Sequence, residues 1–169
     1  HFLLNSLSSF SHIIKKDQLE AENFLDSLTS IYRYFMKHNQ SELVSLEEEF
    51  EFMEHYLYLL SKRYGNAYQV ENHALEKHGF IIPFAIQMCV ENAIKHNEGF
   101  DDDPLKILIE SDSGYITVRN NLRPVKSDGN TGYGIKNLKT RSKFYAGEEV
   151  IVDSGNNCFT VKIPVVKTI

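Results

Sequence analysis

The sequence predicts an α+β fold. A helical hairpin over residues 1–40, joined to a second copy as a dimeric four-helix bundle, precedes an α/β sandwich over residues 41–169. In that sandwich a mixed sheet is covered by helices on one face. Three observations predict it. The start of the chain carries two narrow apolar seams at helical spacing, each too thin to be buried by one short hairpin. Further on, strand pairs are marked by turn residues at 112–114 and 155–157. Between and before them lie amphipathic helices, a segregation that favours layers of helix on sheet.

Taken in order, Leu3, Leu7, Phe10 and Ile14 form the first seam, with His1, Asn5, Ser8 and His12 running beside it as a polar flank. After a break at residues 15–18, Phe24, Leu28, Ile31 and Phe35 repeat the rhythm. Pairing of these seams across a homodimer is the expected solution. Residues 37–42 are polar and read as a hinge. Ser45 caps the next helix, Glu48 completes a capping box, and Glu47 and Glu49 favour its positive end. Leu46, Phe50, Met53, Leu57, Leu60 and Tyr64 give its core stripe, and Gly65 ends it. Residues 68–74 alternate weakly as a strand, and Pro83 is expected to open a helix over 84–97. Acidic residues 101–103 read as a solvated loop before a strand pair at 105–110 and 115–119. A helix from near Gly134 to Gly147 follows, then a final hairpin over 149–153 and 158–165.

Composition narrows the function. With 169 residues, 42% of them hydrophobic, the chain can build one full domain plus a smaller helical appendage. A net charge of -5 argues against nucleic acid as a partner. Cys89 and Cys158 sit in apolar patterns without metal or disulfide spacing, so a reducing compartment is expected. No stretch approaches the roughly 20 apolar residues of a membrane span.

The most informative segment is residues 84–97, FAIQMCVENAIKHN. Ala85, Ile86, Met88, Cys89 and Val90 supply an apolar stripe, and Glu91, Asn92, Lys95 and His96 are expected to project together from the last turns. An acid, an amide, a cation and an imidazole suit a metal–phosphate ligand. A surface helix with a polar, dipole-favoured end is the other reading of the segment alone. Downstream, the run TGYGIKN at residues 131–137 spaces Gly132 and Gly134 so that backbone N–H groups can approach a polyphosphate at a helix start. A glycine pair alone is an ordinary turn; in this order with the polar helix end it gains meaning.

These two segments resemble the N box and G box of the GHKL ATPase superfamily. Within it the chain is most similar to the LytS-like sensor histidine kinases. HFLLNSL at residues 1–7 resembles their phosphoacceptor run HFLFNSLN, and IYRYF (31–35), VSLEEE (44–49) and ENAIKH (91–96) follow in the group's order.

The resemblance implies an ATP-dependent protein-histidine kinase of a two-component system. The hairpin, residues 1–40, would serve dimerisation and phosphotransfer, and residues 41–169 would bind ATP. His1 is the expected nucleophile toward the γ-phosphate, since a neutral imidazole is available near pH 7. The phosphoryl group would then pass to an aspartate on a response regulator receiver domain. Many histidine kinases place an acid directly after the phosphoacceptor; here Phe2 stands there, as in the LytS-like group, and Glu91 is the candidate base. Asn5 matches a polar position that related kinases use in dephosphorylating the partner. Asn92 is expected to hold Mg²⁺ through its side-chain oxygen, Lys95 to neutralise phosphate charge, and His96 to lie against the ribose or phosphates. The superfamily's DxGxG is replaced by VRNNL at residues 118–122, where Asn120 stands for the aspartate that accepts from the adenine amino group. Asn137 is expected to face the phosphates, and Arg141 is either a site residue or a surface cation. His12, His38, His55, His73 and His78 read as surface residues. Because His1 opens the sequence, an upstream sensor part is expected. Membrane contact would come only through that part, leaving this portion on the cytoplasmic side of a bacterial membrane. The altered adenine motif and the missing acid after His1 keep a second reading open, a dimeric pseudokinase scaffold with or without nucleotide. A chaperone or topoisomerase type of GHKL ATPase fits poorly, since Met88 stands where those enzymes place a catalytic glutamate.

Overall fold

Helical periodicity at the chain start becomes two packed helices in the computed structural model, which describes residues 2–76, 78–125 and 133–167. They are α1 (Phe2–Ile13) and α2 (Gln18–His38), followed by β1 (Val44–Ser45), α3 (Leu46–Tyr64) and β2 (Tyr68–Asn72). Next come β3 (Phe80–Ile81), α4 (Ala85–His96), β4 (Leu105–Asp112) and β5 (Tyr115–Asn121). The chain closes with α5 (Tyr133–Tyr145), β6 (Ile151–Gly155) and β7 (Cys158–Pro164). His1 and Gly132 lie outside the described residues.

The strands form a mixed five-stranded sheet in the order β2-β4-β5-β7-β6. Its β2–β4 pair is parallel and the others are antiparallel. Alternation decides which face is covered. Ile107, Ile109, Ile116, Val118, Val161 and Ile163 are buried under the helices, while Lys106 and Arg119 stand on the open face, where Arg119 pairs with Glu110 at 3.6 Å. The expected sandwich, helices on one face of a mixed sheet, is what forms. Both antiparallel turns are two-residue turns with positive φ throughout. They are Ser113 (50°) with Gly114 (89°), and Asn156 (52°) with Asn157 (59°), matching the twist that hairpin strands require.

Three local expectations change. The seam Phe24, Leu28 and Ile31 is buried within the chain instead of being left for a partner, and joins one continuous core with the sandwich. The reason lies in α3, which carries a second apolar stripe, Phe52, Tyr56 and Leu59, beside the one legible in sequence. Phe52 stacks on Tyr34 of α2 at 4.5 Å between ring centroids. Phe35, expected in that seam, is exposed, and so are Leu25, Tyr32 and Met36 on the outer side of α2.

Second, Pro83 does not open α4. Phe84 is the N-cap, held at φ 65° with no side-chain cap of its own. Third, His38 is buried, 7% exposed, against the Tyr34 ring at 4.6 Å; its Nδ1 lies 3.2 Å from Ser41 Oγ. Burial, the dominant influence, holds its pKa below the ordinary histidine value.

The capping box forms in altered shape. Ser45 Oγ accepts from the Glu48 amide at 3.2 Å, as expected, but the Glu48 carboxylate accepts from the Ser45 hydroxyl and from Lys37 rather than from the Ser45 amide. Ser45 also belongs to β1, whose pairing with β3 was invisible in sequence because two-residue strands carry no periodicity. Gly99 is fixed by close approach: a Cβ there would stand 2.0 Å from the Ala67 carbonyl oxygen, so the loop after α4 can lie against the loop before β2 only with glycine.

Candidate functional site

Burial of Ala85, Ile86, Cys89, Val90 and Ala93 seats α4 on the sheet and fixes where its polar groups point. Four groups expected to act together are divided between two cavities, because residues four apart share a helix row while neighbouring residues do not. Asn92 and His96 line a cleft of about 550 Å³ between α4, α5 and the segment after β5. Glu91 and Lys95 line a separate cavity of about 580 Å³ toward α1 and α3, which Ser6 and Ser9 of α1 also border.

The first cleft combines two kinds of lining. Leu122, Ile135 and Phe159 offer apolar surface, and Lys136 and Lys139, one turn apart on α5, face the α4 amide and imidazole. Among the described residues that line it, none is acidic. Such a cleft suits a flat apolar group joined to a multiply charged anion.

The C-terminal end of α4 is tied to this floor by Asn97, whose amide donates to the Ala93 carbonyl at 2.8 Å and accepts from the Arg123 amide at 2.7 Å. Val125 N–H donates to the His96 carbonyl at 3.1 Å, and Glu98 N–H to the Arg123 carbonyl at 3.0 Å. Arg123 itself pairs with Asp103 and donates to the Asp103 carbonyl at 2.6 Å, so one of the three acidic loop residues braces the cleft wall. That guanidinium holds the Asp103 carboxyl below the usual range.

The other expected residues are placed unevenly. Asn120 is buried on the helix-covered face of β5, in line with Ile116 and Val118, and donates to the Asn121 carbonyl at 2.7 Å. It is not among the residues lining the cleft. Gly134 lies in the first turn of α5 rather than in a free turn, and a Cβ there would meet only Met88 Cε at 3.8 Å. Asn137 is exposed and is not among the residues lining the cleft, whose α5 wall includes Lys136 and Lys139. The sequence signal for them was the lysine pair at helical spacing in IKNLK. Arg141 reaches the Ser41 carbonyl at 3.4 Å, which ties α5 to the hinge after α2. Asn5 lies in α1, one turn into the helix.

On the hairpin side, Tyr56 is buried and donates to Glu91 at 3.3 Å. Burial, then the Glu91 charge, pushes the Tyr56 phenol far above its ordinary pKa. Glu91 is therefore an exposed carboxylate aimed by a buried phenol. A divalent cation in the first cleft would find the Asn92 amide oxygen and no protein-made cage, since the described residues include no group of three His, Cys, Asp or Glu able to hold one. That donor set fits a Mg²⁺ ion whose other ligands are water and substrate phosphates.

Comparison with known proteins places this geometry. The histidine kinase family model matches residues 1–68, the stretch from α1 through α3. The sensor protein LytS of Staphylococcus haemolyticus is 28% identical over 160 residues, spanning 83% of this chain and 27% of its own length. The sensor histidine kinase/phosphatase LytS of Staphylococcus aureus is 26% identical over 168 residues, spanning 88% of this chain and 29% of its own. The chain is similar to the LytS-type sensor histidine kinases. It spans under a third of the length of these LytS relatives.

Solved histidine kinases share the fold. The cytoplasmic segment of QseC aligns with a TM-score of 0.53 at 11% identity, covering 75% of this chain and 78% of that one. Acinetobacter baumannii AdeS aligns at 0.51, also at 11% identity, covering 99% and 96%. Among the described residues no helix is long and apolar enough to cross a membrane.

Proposed function

We propose that this chain is the kinase core of a two-component sensor, which transfers the γ-phosphate of ATP to His1 and then to an aspartate of a response regulator receiver domain. The observation that carries the reading is the cleft where Asn92 and His96 of α4 face Lys136 and Lys139 of α5 over an apolar bed. The apolar bed takes the base, and the lysines and His96 meet the phosphates. The Asn92 oxygen holds Mg²⁺, which when bound offsets phosphate charge. Asn120, buried next to this bed on β5, stands for the missing adenine-binding aspartate. Gly132 and Gly134 precede or open α5, whose start favours an anion.

The division of α4 into two flanks supports the transfer step. Glu91 and Lys95 share a cavity with α1, the helix that begins beside His1. An imidazole nitrogen of His1 attacks the γ-phosphorus, the bond from that phosphorus to the ADP oxygen breaks, and ADP leaves with those electrons. Glu91 takes the proton released from the ring, and Lys95 offsets the charge of the moving phosphoryl group. Asn5, one turn along α1, orients water for attack on the aspartyl phosphate of the regulator, which releases inorganic phosphate and restores the aspartate. Residues 1–40 act as the dimerisation and phosphotransfer unit and residues 41–169 as the ATP-binding unit. The exposed Leu7, Ile14, Leu25, Tyr32 and Met36 form the surface that a second copy covers. The longer protein carries this core on the cytoplasmic side of the membrane, and its membrane contact comes through other segments.

Incubation of the intact protein with γ-labelled ATP and Mg²⁺ tests the reading. Acid-labile label that disappears in His1→Gln is expected. Nucleotide binding without any label would instead support a pseudokinase, a reading that neither the family match nor the named LytS relatives favour.

A further inference from the structure

Glu49 is a carboxylate with 0% exposure inside a kinase core whose proposed chemistry does not use it. Three donors converge on it from two elements. The Tyr34 hydroxyl of α2 donates to Oε2 at 2.5 Å, the Phe84 amide donates to the same oxygen at 3.0 Å, and the Ile86 amide donates to Oε1 at 3.2 Å. Phe84 and Ile86 are the N-cap and second residue of α4, whose own sequence supplies no capping side chain. Glu49 thus caps α4 from α3, with its two carboxyl oxygens at the positive end of that helix dipole.

The surroundings make this joint stiff. Tyr34 stacks on Phe52 at 4.5 Å and meets Phe84 edge-on at 5.2 Å, and Phe52 meets Phe84 edge-on at 5.5 Å. A phenylalanine at φ 65° is held in a conformation that bulky residues rarely adopt, and it is fixed here by the Glu49 oxygen on its amide and three rings around its side chain. One carboxylate therefore connects the hairpin helix α2 with the start of the helix that carries Asn92 and His96.

We propose that Glu49, bridging the Tyr34 hydroxyl and the first amides of α4, is a positioning residue that sets the nucleotide-binding flank of α4 relative to the phosphoacceptor hairpin. The inference rests on the kinase reading of the cleft and of α1. A helix is stiff along its axis, so a shift of α2 at Tyr34 is passed through Glu49 to the N-terminus of α4 and carried to its far end. Glutamine cannot replace the bridge. With one oxygen and one NH₂ group it leaves either the Phe84 or the Ile86 amide facing a donor.

The test uses the intact protein. Tyr34→Phe keeps the ring and removes only the hydroxyl, so nucleotide affinity is expected to stay within about twofold while the autophosphorylation rate at saturating ATP falls about tenfold, the scale of a hydrogen bond to a charged group. Glu49→Gln is expected to lower both. Amide exchange read in the same variants is expected to quicken in the first turn of α4 and stay unchanged in β4 and β5. A Tyr34→Phe protein with a lowered unfolding temperature but a wild-type rate per folded molecule and wild-type exchange in α4 would overturn the proposal. Should Glu49→Gln fail to fold, Tyr34→Phe decides alone. Should the wild type not label His1, the kinase reading falls, and exchange in α4 still decides whether the bridge couples the two helices.

Discussion

Glu49 also shows how far packing can change an ionisable residue. In sequence it is one of three acids in the first turn of α3, a surface position by composition. In the structure burial raises its pKa to about 7, outweighing the hydrogen bonds from Tyr34, Phe84 and Ile86 that lower it. The unfolded value is near 4.5, so the folded state retains a proton that the unfolded chain has already released. The stability contributed by this site is full below pH 4.5 and is lost as pH rises through about 7, on the order of 3 kcal/mol in all. Glu49→Gln is expected to remove that slope. Urea unfolding across this range should show wild type losing stability relative to the variant as pH rises, and a constant difference would refute it. Cys89 nearby reports the same environment, since burial and then the Glu49 charge push its thiol well above the ordinary range. Nothing in the residue string distinguished Glu49 from Glu47, because helical position tells which side a residue faces only when both neighbours of the helix are known.

At the scale of elements, α4 and α5 were legible and their relation was not. Periodicity placed a helix at 84–97 and the structure has one at Ala85–His96, with the polar groups on its last turns as expected. Their division into two cavities depends on which row faces α5 and which faces α1, a tertiary fact. The same holds for Asn120, one residue past the strand expected at 115–119 yet within β5 and turned under the helices, and for His38, read as a surface residue and buried by the packing of α2 on α3. Lys136 and Lys139 carry no mark in sequence beyond their helical spacing, whereas Asn137 follows the glycine turn closely. Lys136→Ala and Lys139→Ala are each expected to weaken ATP binding about tenfold at low ionic strength, with the deficit shrinking as salt is added. Lys143, one turn further and paired with Glu149 at 2.6 Å, provides the control: Lys143→Ala should titrate like wild type in calorimetry. Equal affinities for all three variants would remove the lysines from the site.

For the whole molecule, the strands, their turns and the covered sheet were readable because alternation and turn residues are local signals. The docking of the hairpin onto α3 was not, since the second stripe of α3 lies beside the first and reads as a widening of the same apolar face. That docking uses the inward side of α2 and leaves Leu25, Tyr32 and Met36 outside, seven and four residues apart on one face. If this face holds the dimer together, the double variant Leu25→Glu, Tyr32→Glu is expected to sediment as a monomer with unchanged near-ultraviolet dichroism. A dimer that persists would place the interface elsewhere. The two-sided form of α4 bears on inhibition as well. On the proposed arrangement, a small molecule lodged among Tyr56, Tyr64 and Glu91 would leave the apolar bed for the base open while blocking the approach of α1 to Glu91 and Lys95, so it would lower the maximal velocity of transfer even at saturating ATP.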